Sequence, residues 1–213
     1  MNLPNKITTF RMIMVVVILF LLAIPSGIGQ MGPMIYFNQN HENGIYVIHL
    51  VACILFLIAS FSDFLDGYLA RKYNLVTTYG KFMDPIADKL LVDMILLFFA
   101  LPMTTHGFGV TGQTGVPMLV CIIMIARDLI VDGIRLIAME KKVVIAASWF
   151  GKTKTVLQMV ALTFVLLNNW PFVYFGWNVN VTNLLCYVAG LVSLASGIDY
   201  LWKARHLFKG EER

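Results

Sequence analysis

The chain has 213 residues and a formal net charge of +4; 59% of it is hydrophobic and only 13% charged. A mean hydropathy of +0.77 excludes an ordinary soluble domain and points to a polytopic membrane protein. Cys53, Cys121 and Cys186 are odd in number and lie inside apolar runs, which argues against a disulfide framework or a thiolate metal site and for core packing.

Six apolar runs follow in order, near 12–28, 45–62, 90–103, 116–139, 155–175 and 181–202. Each, with its flanking turns, is long enough to cross a core of about 30 Å at about 1.5 Å per residue. The expected fold is therefore all-α, with six transmembrane helices in one membrane domain, 1–213. No internal repeat, low-complexity segment or interdomain linker divides it.

Ahead of the first run, NLPNKITTFR reads as a short amphipathic segment, with Pro4 at a helix start and Lys6 and Arg11 facing lipid phosphates. Basic flanks also suit a signal peptide, but five further spans favour a first membrane helix. The second helix is expected to run past Asp66 to about Lys72. YNLVTTYG then breaks the chain, and Pro85 falls in the first turn of the third helix.

Segments 28–45, 103–116 and 169–181 hold no Lys or Arg, which places both termini in the cytoplasm. Trp170, Tyr174 and Trp177 fit an outer aromatic belt, and the basic inner loops suit anionic lipid. A membrane-lipid environment is expected, and no nucleic-acid partner.

Four aspartates stand out between helices two and three. Asp63 and Asp84 lie about 26 Å, and Asp88 about 21 Å, from the outer helix ends, which sets all four at one level near the cytoplasmic face. Asp63 and Asp66 are three residues apart and Asp84 and Asp88 four, so each pair shares a helix face. Converging carboxylates call for hard divalent cations such as Mg²⁺, Mn²⁺ or Ca²⁺, since no Cys or His stands near. Two ions about 3.5–4 Å apart would clamp a phosphoryl centre. The plainer alternative pairs these aspartates with Arg71, Lys72, Lys81 and Lys89. Gly67 and Gly80 fit points where a ligand approaches the backbone.

The segment reads D-x-x-D-G-x-x-A-R, eight residues, then G-x-x-x-D-x-x-x-D, filled by Asp63, Asp66, Gly67, Ala70, Arg71, Gly80, Asp84 and Asp88. It resembles the signature of the CDP-alcohol phosphotransferases at every position. The resemblance implies a six-helix, homodimeric membrane enzyme that is dependent on two divalent cations, Mg²⁺ or Mn²⁺. Such an enzyme moves a phosphatidyl group from a CDP-linked lipid to an alcohol and releases CMP. It implies Asp63, Asp66 and Asp84 as metal ligands, and Asp88 as general base and further ligand. Asp66, Gly67, Ala70, Arg71 and Gly80 would receive the cytidine diphosphate.

Acceptor choice must be written elsewhere. Arg127 lies near the expected midplane, with Asp128, Asp132 and Arg135 in a stripe close by; internal pairing, Asp132 with Arg135 or Arg127 with an aspartate of another helix, is the competing explanation. The following EKKVVIAASWFGKTKT brings Ser148, Lys152, Lys154 and Thr155 to the start of helix five, where cations and helix-start amides together make an anion site. With GIRLIAMEKK, LPNKITTFR and SGIDYLWKA, this segment resembles the phosphatidylglycerophosphate synthases of the same family, whose acceptor is sn-glycerol 3-phosphate and whose donor is CDP-diacylglycerol. That resemblance adds Asn5 and Thr8 as nucleotide contacts, with plain helix capping as their alternative; the charged cluster itself offers Arg127, Arg135, Ser148, Lys152, Lys154 and Thr155 as acceptor-phosphate contacts. The resemblance implies a bacterial plasma membrane with the active site on the cytoplasmic side. Inositol phosphate, phosphatidylglycerol or serine are the alternative acceptors; from another class, a cation transporter would also carry an acidic site.

Overall fold

The computed structural model describes residues 3–28, 34–36, 44–72, 78–101, 116–141, 143, 149–172, 175 and 180–208. Six helices make up nearly all of it: α1 (Leu3–Ile28), α2 (Val47–Lys72), α3 (Thr78–Ala100), α4 (Met118–Glu140), α5 (Trp149–Leu166) and α6 (Val181–Phe208). Between α1 and α2, the three-residue strands β1 (Met34–Tyr36) and β2 (Gly44–Tyr46) pair antiparallel, Ile35 opposite Ile45. This small ribbon is the one departure from an all-α fold among the described residues.

Three boundaries differ from the sequence expectation. The N-terminal segment is not a separate amphipathic piece: α1 runs unbroken from Leu3, and Thr8, Arg11, Val15, Ile18 and Leu22 form one buried stripe at helical spacing. Helix α3 starts at Thr78, so Pro85 is its eighth residue and not part of its first turn. Helix α5 stops at Leu166, well before residue 175, and Asn168 and Asn169 then take φ of 54° and 62°, a left-handed conformation that asparagine tolerates better than most side chains. Buried Asn169 accepts hydrogen bonds from the backbone N–H and the hydroxyl of Thr182, while Asn180 caps α6 by accepting from the Asn183 N–H.

Helix α1 packs on α2 and α3, α6 on α4 and α5, and α3 on α4 and α5. The main core gathers Ile18, Phe56, Leu91, Ile95, Phe99, Met124 and Leu162, with Cys53, Cys121 and Cys186 buried as free thiols, as the sequence suggested. Helix α6 turns inward a stripe of small and polar residues, Thr182, Cys186, Ala189, Ser193 and Ser196, and outward Leu184, Leu191, Leu194, Ile198 and Trp202. Small residues on the inner stripe let helices approach closely: a Cβ on Gly190 would lie 3.0 Å from Cγ1 of Val120.

Among the described residues, two helices combine the length and apolarity of a membrane span, Asn5–Ala23 with hydropathy 2.2 and Val181–Arg205 with 1.7; Val47–Asp63 is a shorter apolar stretch. Helices α3 and α4 carry ionisable residues inside the regions expected to span, Asp93, Arg127, Asp128, Asp132 and Arg135, and Lys89 and Lys154 stand at the edges of those in α3 and α5.

Candidate active site

Helix α1 delivers two polar side chains, one turn apart, to the aspartates of α2 and α3. Thr8 Oγ1 donates to Asp84 Oδ1 at 2.5 Å. Arg11 forks: Nη1 lies 2.5 Å from Asp88 Oδ1 and Nη2 2.6 Å from Asp63 Oδ1. The expectation that Arg11 faces lipid phosphates is thus corrected, for its side chain is 0% exposed. Among the described residues Lys89 is not paired with Asp63, Asp84 or Asp88 but with Asp132 on α4. Charge balance explains the first case, since an arginine shut away from water requires carboxylate partners.

One guanidinium holding Asp63 and Asp88 means that these carboxylates, from two helices, face a common centre. Carboxylate oxygens are the donor type that a hard divalent ion takes, so the residues fit such an ion in kind. Among the described residues no three acidic, His or Cys side chains close on one point as a ready-made ion site. The side chain of Asp66 lies outside the described ones, as do those of Gly67, Ala70, Arg71 and Gly80. Their backbones run through the last turns of α2 and the first turn of α3.

A cavity of about 390 Å³ opens between α3, α4 and α5, with Tyr200 of α6 at its edge. It brings together two groups that are far apart in sequence. Asp84 and Asp88 line one part of its wall; Arg127, Arg135, Lys152, Lys154 and Thr155 line another. Five of the six acceptor candidates therefore share a space with two signature aspartates. Ser148 lies outside the described residues. Asn5, on α1, does not reach this cavity, and neither does Asp63.

The basic wall is more ordered than expected. Asp128, its side chain 4% exposed, accepts from Arg127 Nη1 at 2.7 Å and pairs with Lys154 through its other oxygen. Arg127 Nη2 also donates to Ser196 Oγ at 2.5 Å. Internal pairing thus holds for Arg127, though with its own neighbour and not with another helix, and Asp132 pairs with Lys89 rather than Arg135. The Arg135 guanidinium sits over the Tyr200 ring, 5.7 Å from its centroid. The Thr155 hydroxyl donates back to the Gly151 carbonyl at 3.2 Å. Arg127 and Lys154 share Asp128, and Asp93 on the same lining acts on Lys154 as well. The wall's positive charge comes from Arg135 and Lys152, which have no carboxylate partner among the described residues. A phosphate dianion suits such a wall.

Deeper along α3 and α5, Asp93 accepts from the Gln158 amide at 3.3 Å, and both line the cavity. Neither was singled out from sequence, nor were Lys89 and Tyr200 as cavity residues. The signal was present for two of them: an aspartate and a glutamine inside apolar helical runs need polar surroundings.

The sequence model of CDP-alcohol phosphatidyltransferases matches residues 1–195. The chain belongs to the CDP-alcohol phosphatidyltransferase family. Within it, the chain is similar to a Bacillus subtilis protein, 37% identical over 202 residues, 95% of this chain and 94% of that one. A Mycoplasma genitalium protein is 35% identical over 93% of this chain and 82% of its own length, and one from Rickettsia bellii 31% over 97% of each. All three bear the name CDP-diacylglycerol–glycerol-3-phosphate 3-phosphatidyltransferase. The family match takes in α1 through most of α6, including every residue described at the cavity except Tyr200.

Proposed function

We propose that this chain transfers the phosphatidyl group of CDP-diacylglycerol to sn-glycerol 3-phosphate, giving phosphatidylglycerophosphate and CMP. The observation that carries the reading is the shared cavity. Its acidic side suits the reacting hydroxyl and pyrophosphate, and its basic side suits an acceptor that itself bears phosphate. The names of the similar bacterial proteins support the same donor and acceptor.

In this reading Asp63, Asp66, Asp84 and Asp88 hold two divalent cations, Mg²⁺ or Mn²⁺, which when bound neutralise charge on the pyrophosphate and make CMP a better leaving group. Arg135 and Lys152, with the Arg127–Asp128–Lys154 cluster behind them, take the acceptor phosphate. The glycerol hydroxyl is then directed towards Asp88, whose carboxylate removes its proton. The hydroxyl oxygen attacks the phosphorus bearing the diacylglycerol. A new P–O bond forms, the P–O bond to CMP breaks, and CMP departs with the electron pair. Thr8 steadies Asp84. Arg71, Gly67, Ala70 and Gly80, with Asn5, receive the nucleotide end of the donor.

The whole chain acts as one membrane domain of six spans in the bacterial plasma membrane, both termini and the site on the cytoplasmic side, and works as a homodimer. The outward apolar faces of α4 and α6 support embedding in lipid, with ionisable groups turned inward. Purified protein given CDP-diacylglycerol, Mg²⁺ or Mn²⁺ and one acceptor at a time tests the function. Phosphatidylglycerophosphate is expected with glycerol 3-phosphate. Equal CMP release with inositol phosphate, serine or phosphatidylglycerol would remove the acceptor assignment, and cation flux in liposomes without CMP release would replace the enzyme by a transporter.

A further inference from the structure

Arg11 is among the largest fully buried side chains of the described structure, yet the two carboxylates it holds are open, Asp63 32% and Asp88 43% exposed. Its Nε and Nη2 have no hydrogen-bond partner among the described residues, so Asp88 is held by a hydrogen bond from Nη1 and Asp63 by an ion contact with Nη2. An arginine meant to capture a passing anion needs access, and this one has none. It lies behind the carboxylates, on the side where α1 packs against α2 and α3.

We propose that Arg11 is a positioning residue and built-in counter-ion. It fixes Asp63 and Asp88 opposite one another from the buried side, and its charge stands in for, and opposes, the divalent cations taken on the open side. The proposal rests on reading these aspartates as an ion site. Two separable effects follow. As a charge, Arg11 stabilises the cluster when no cation is bound and weakens cation affinity. As a planar fork, it sets one nitrogen against each carboxylate at once, a hydrogen bond to Asp88 and an ion contact with Asp63, which a lysine ammonium of equal charge does not reproduce.

The test uses the full chain in detergent, as wild type, Arg11→Gln and Arg11→Lys, with three readouts: Mn²⁺ titration by calorimetry, melting temperature with and without Mn²⁺, and CMP release. Losing one positive charge beside the site should tighten Mn²⁺ binding about tenfold or more in Arg11→Gln. The same variant should melt lower than wild type without cation, recover with Mn²⁺, and turn over poorly. Arg11→Lys should keep near-wild-type Mn²⁺ affinity while its turnover stays low. Unchanged or weaker Mn²⁺ binding by Arg11→Gln, with a melting deficit that Mn²⁺ does not narrow, would reduce Arg11 to a packing element and overturn the proposal. Should Arg11→Gln not fold, Arg11→Lys decides: full turnover overturns the positioning role, and lost turnover with preserved Mn²⁺ affinity supports it. Absence of Mn²⁺ binding in wild type and variants alike would overturn the ion-site reading and this proposal together. Failure of glycerol 3-phosphate as acceptor would leave the titration untouched.

Discussion

Arg127 of α4 and Ser196 of α6 are joined by a 2.5 Å hydrogen bond from Nη2 to the serine hydroxyl. The following residue of α6 makes the crossing possible, since a Cβ on Gly197 would lie 2.8 Å from Cγ of Arg127. Gly197→Ala should therefore push Arg127 off its partners and cost about 1–3 kcal/mol of stability, as overpacking does. Thermal melting in detergent and an acceptor titration check this; a lower melting temperature and a raised acceptor KM are expected.

Lys152 and Lys154 both line the cavity but should behave differently. Lys154 and Asp128 are a buried pair, and Asp128 keeps Arg127 when Lys154 is removed, so the loss is that of a hydrogen bond to a charged group, about 1.5–3 kcal/mol. Lys154→Met is expected to destabilise the fold, seen as a lower melting temperature. Lys152 is exposed on the cavity wall, so Lys152→Ala should leave melting unchanged and raise the acceptor KM about tenfold, the effect of losing a single charge-assisted hydrogen bond. Equal melting of the two variants would contradict the placement of Lys154.

Thr8 tests the support given to the aspartates. Thr8→Val keeps the volume and removes the hydroxyl that donates to Asp84. A hydrogen bond to a charged group contributes about 1.5–3 kcal/mol, so turnover should fall at least about tenfold, while Thr8→Ser retains most of it. Steady-state kinetics of the pair decides.

Asp88→Asn leaves size unchanged and removes the proton acceptor. General-base catalysis accounts for about 10²–10⁴ in rate, so CMP release should drop at least a hundredfold while much of the nucleotide binding persists; melting should fall too, since buried Arg11 loses one of its two carboxylates. Retained turnover would assign the base to another residue.

Much of this site was legible in the residues. The spacing from Asp63 to Asp88 pointed to converging carboxylates, the resemblance of that segment to a known family carried the reaction class, and the helix order followed from six apolar runs. Lys152, Lys154 and Arg135, about fifty residues or more from the signature, line one cavity with Asp84 and Asp88. What escaped is pairing across helices. That Arg11 turns inward depends on how α1 rolls against α2 and α3, which its own periodicity leaves open because Lys6 and Arg11 suit a lipid surface equally well. Asp132 choosing Lys89 over Arg135 is likewise settled by helix rotation, and Arg135 is taken up by the Tyr200 ring. Pro85 misled the start of α3 because a proline inside a helix is disfavoured, yet α3 continues through it from Thr78.

The central claim is that one cavity serves both the aspartates and the acceptor's phosphate, and acceptor-dependent CMP release tests it most directly. Purified protein with CDP-diacylglycerol and Mn²⁺ should release CMP with glycerol 3-phosphate and not with glycerol, and Arg135→Ala should raise the KM for glycerol 3-phosphate while leaving that for CDP-diacylglycerol unchanged. CMP release at the same rate with glycerol, or an Arg135 variant with unaltered acceptor KM, would contradict it.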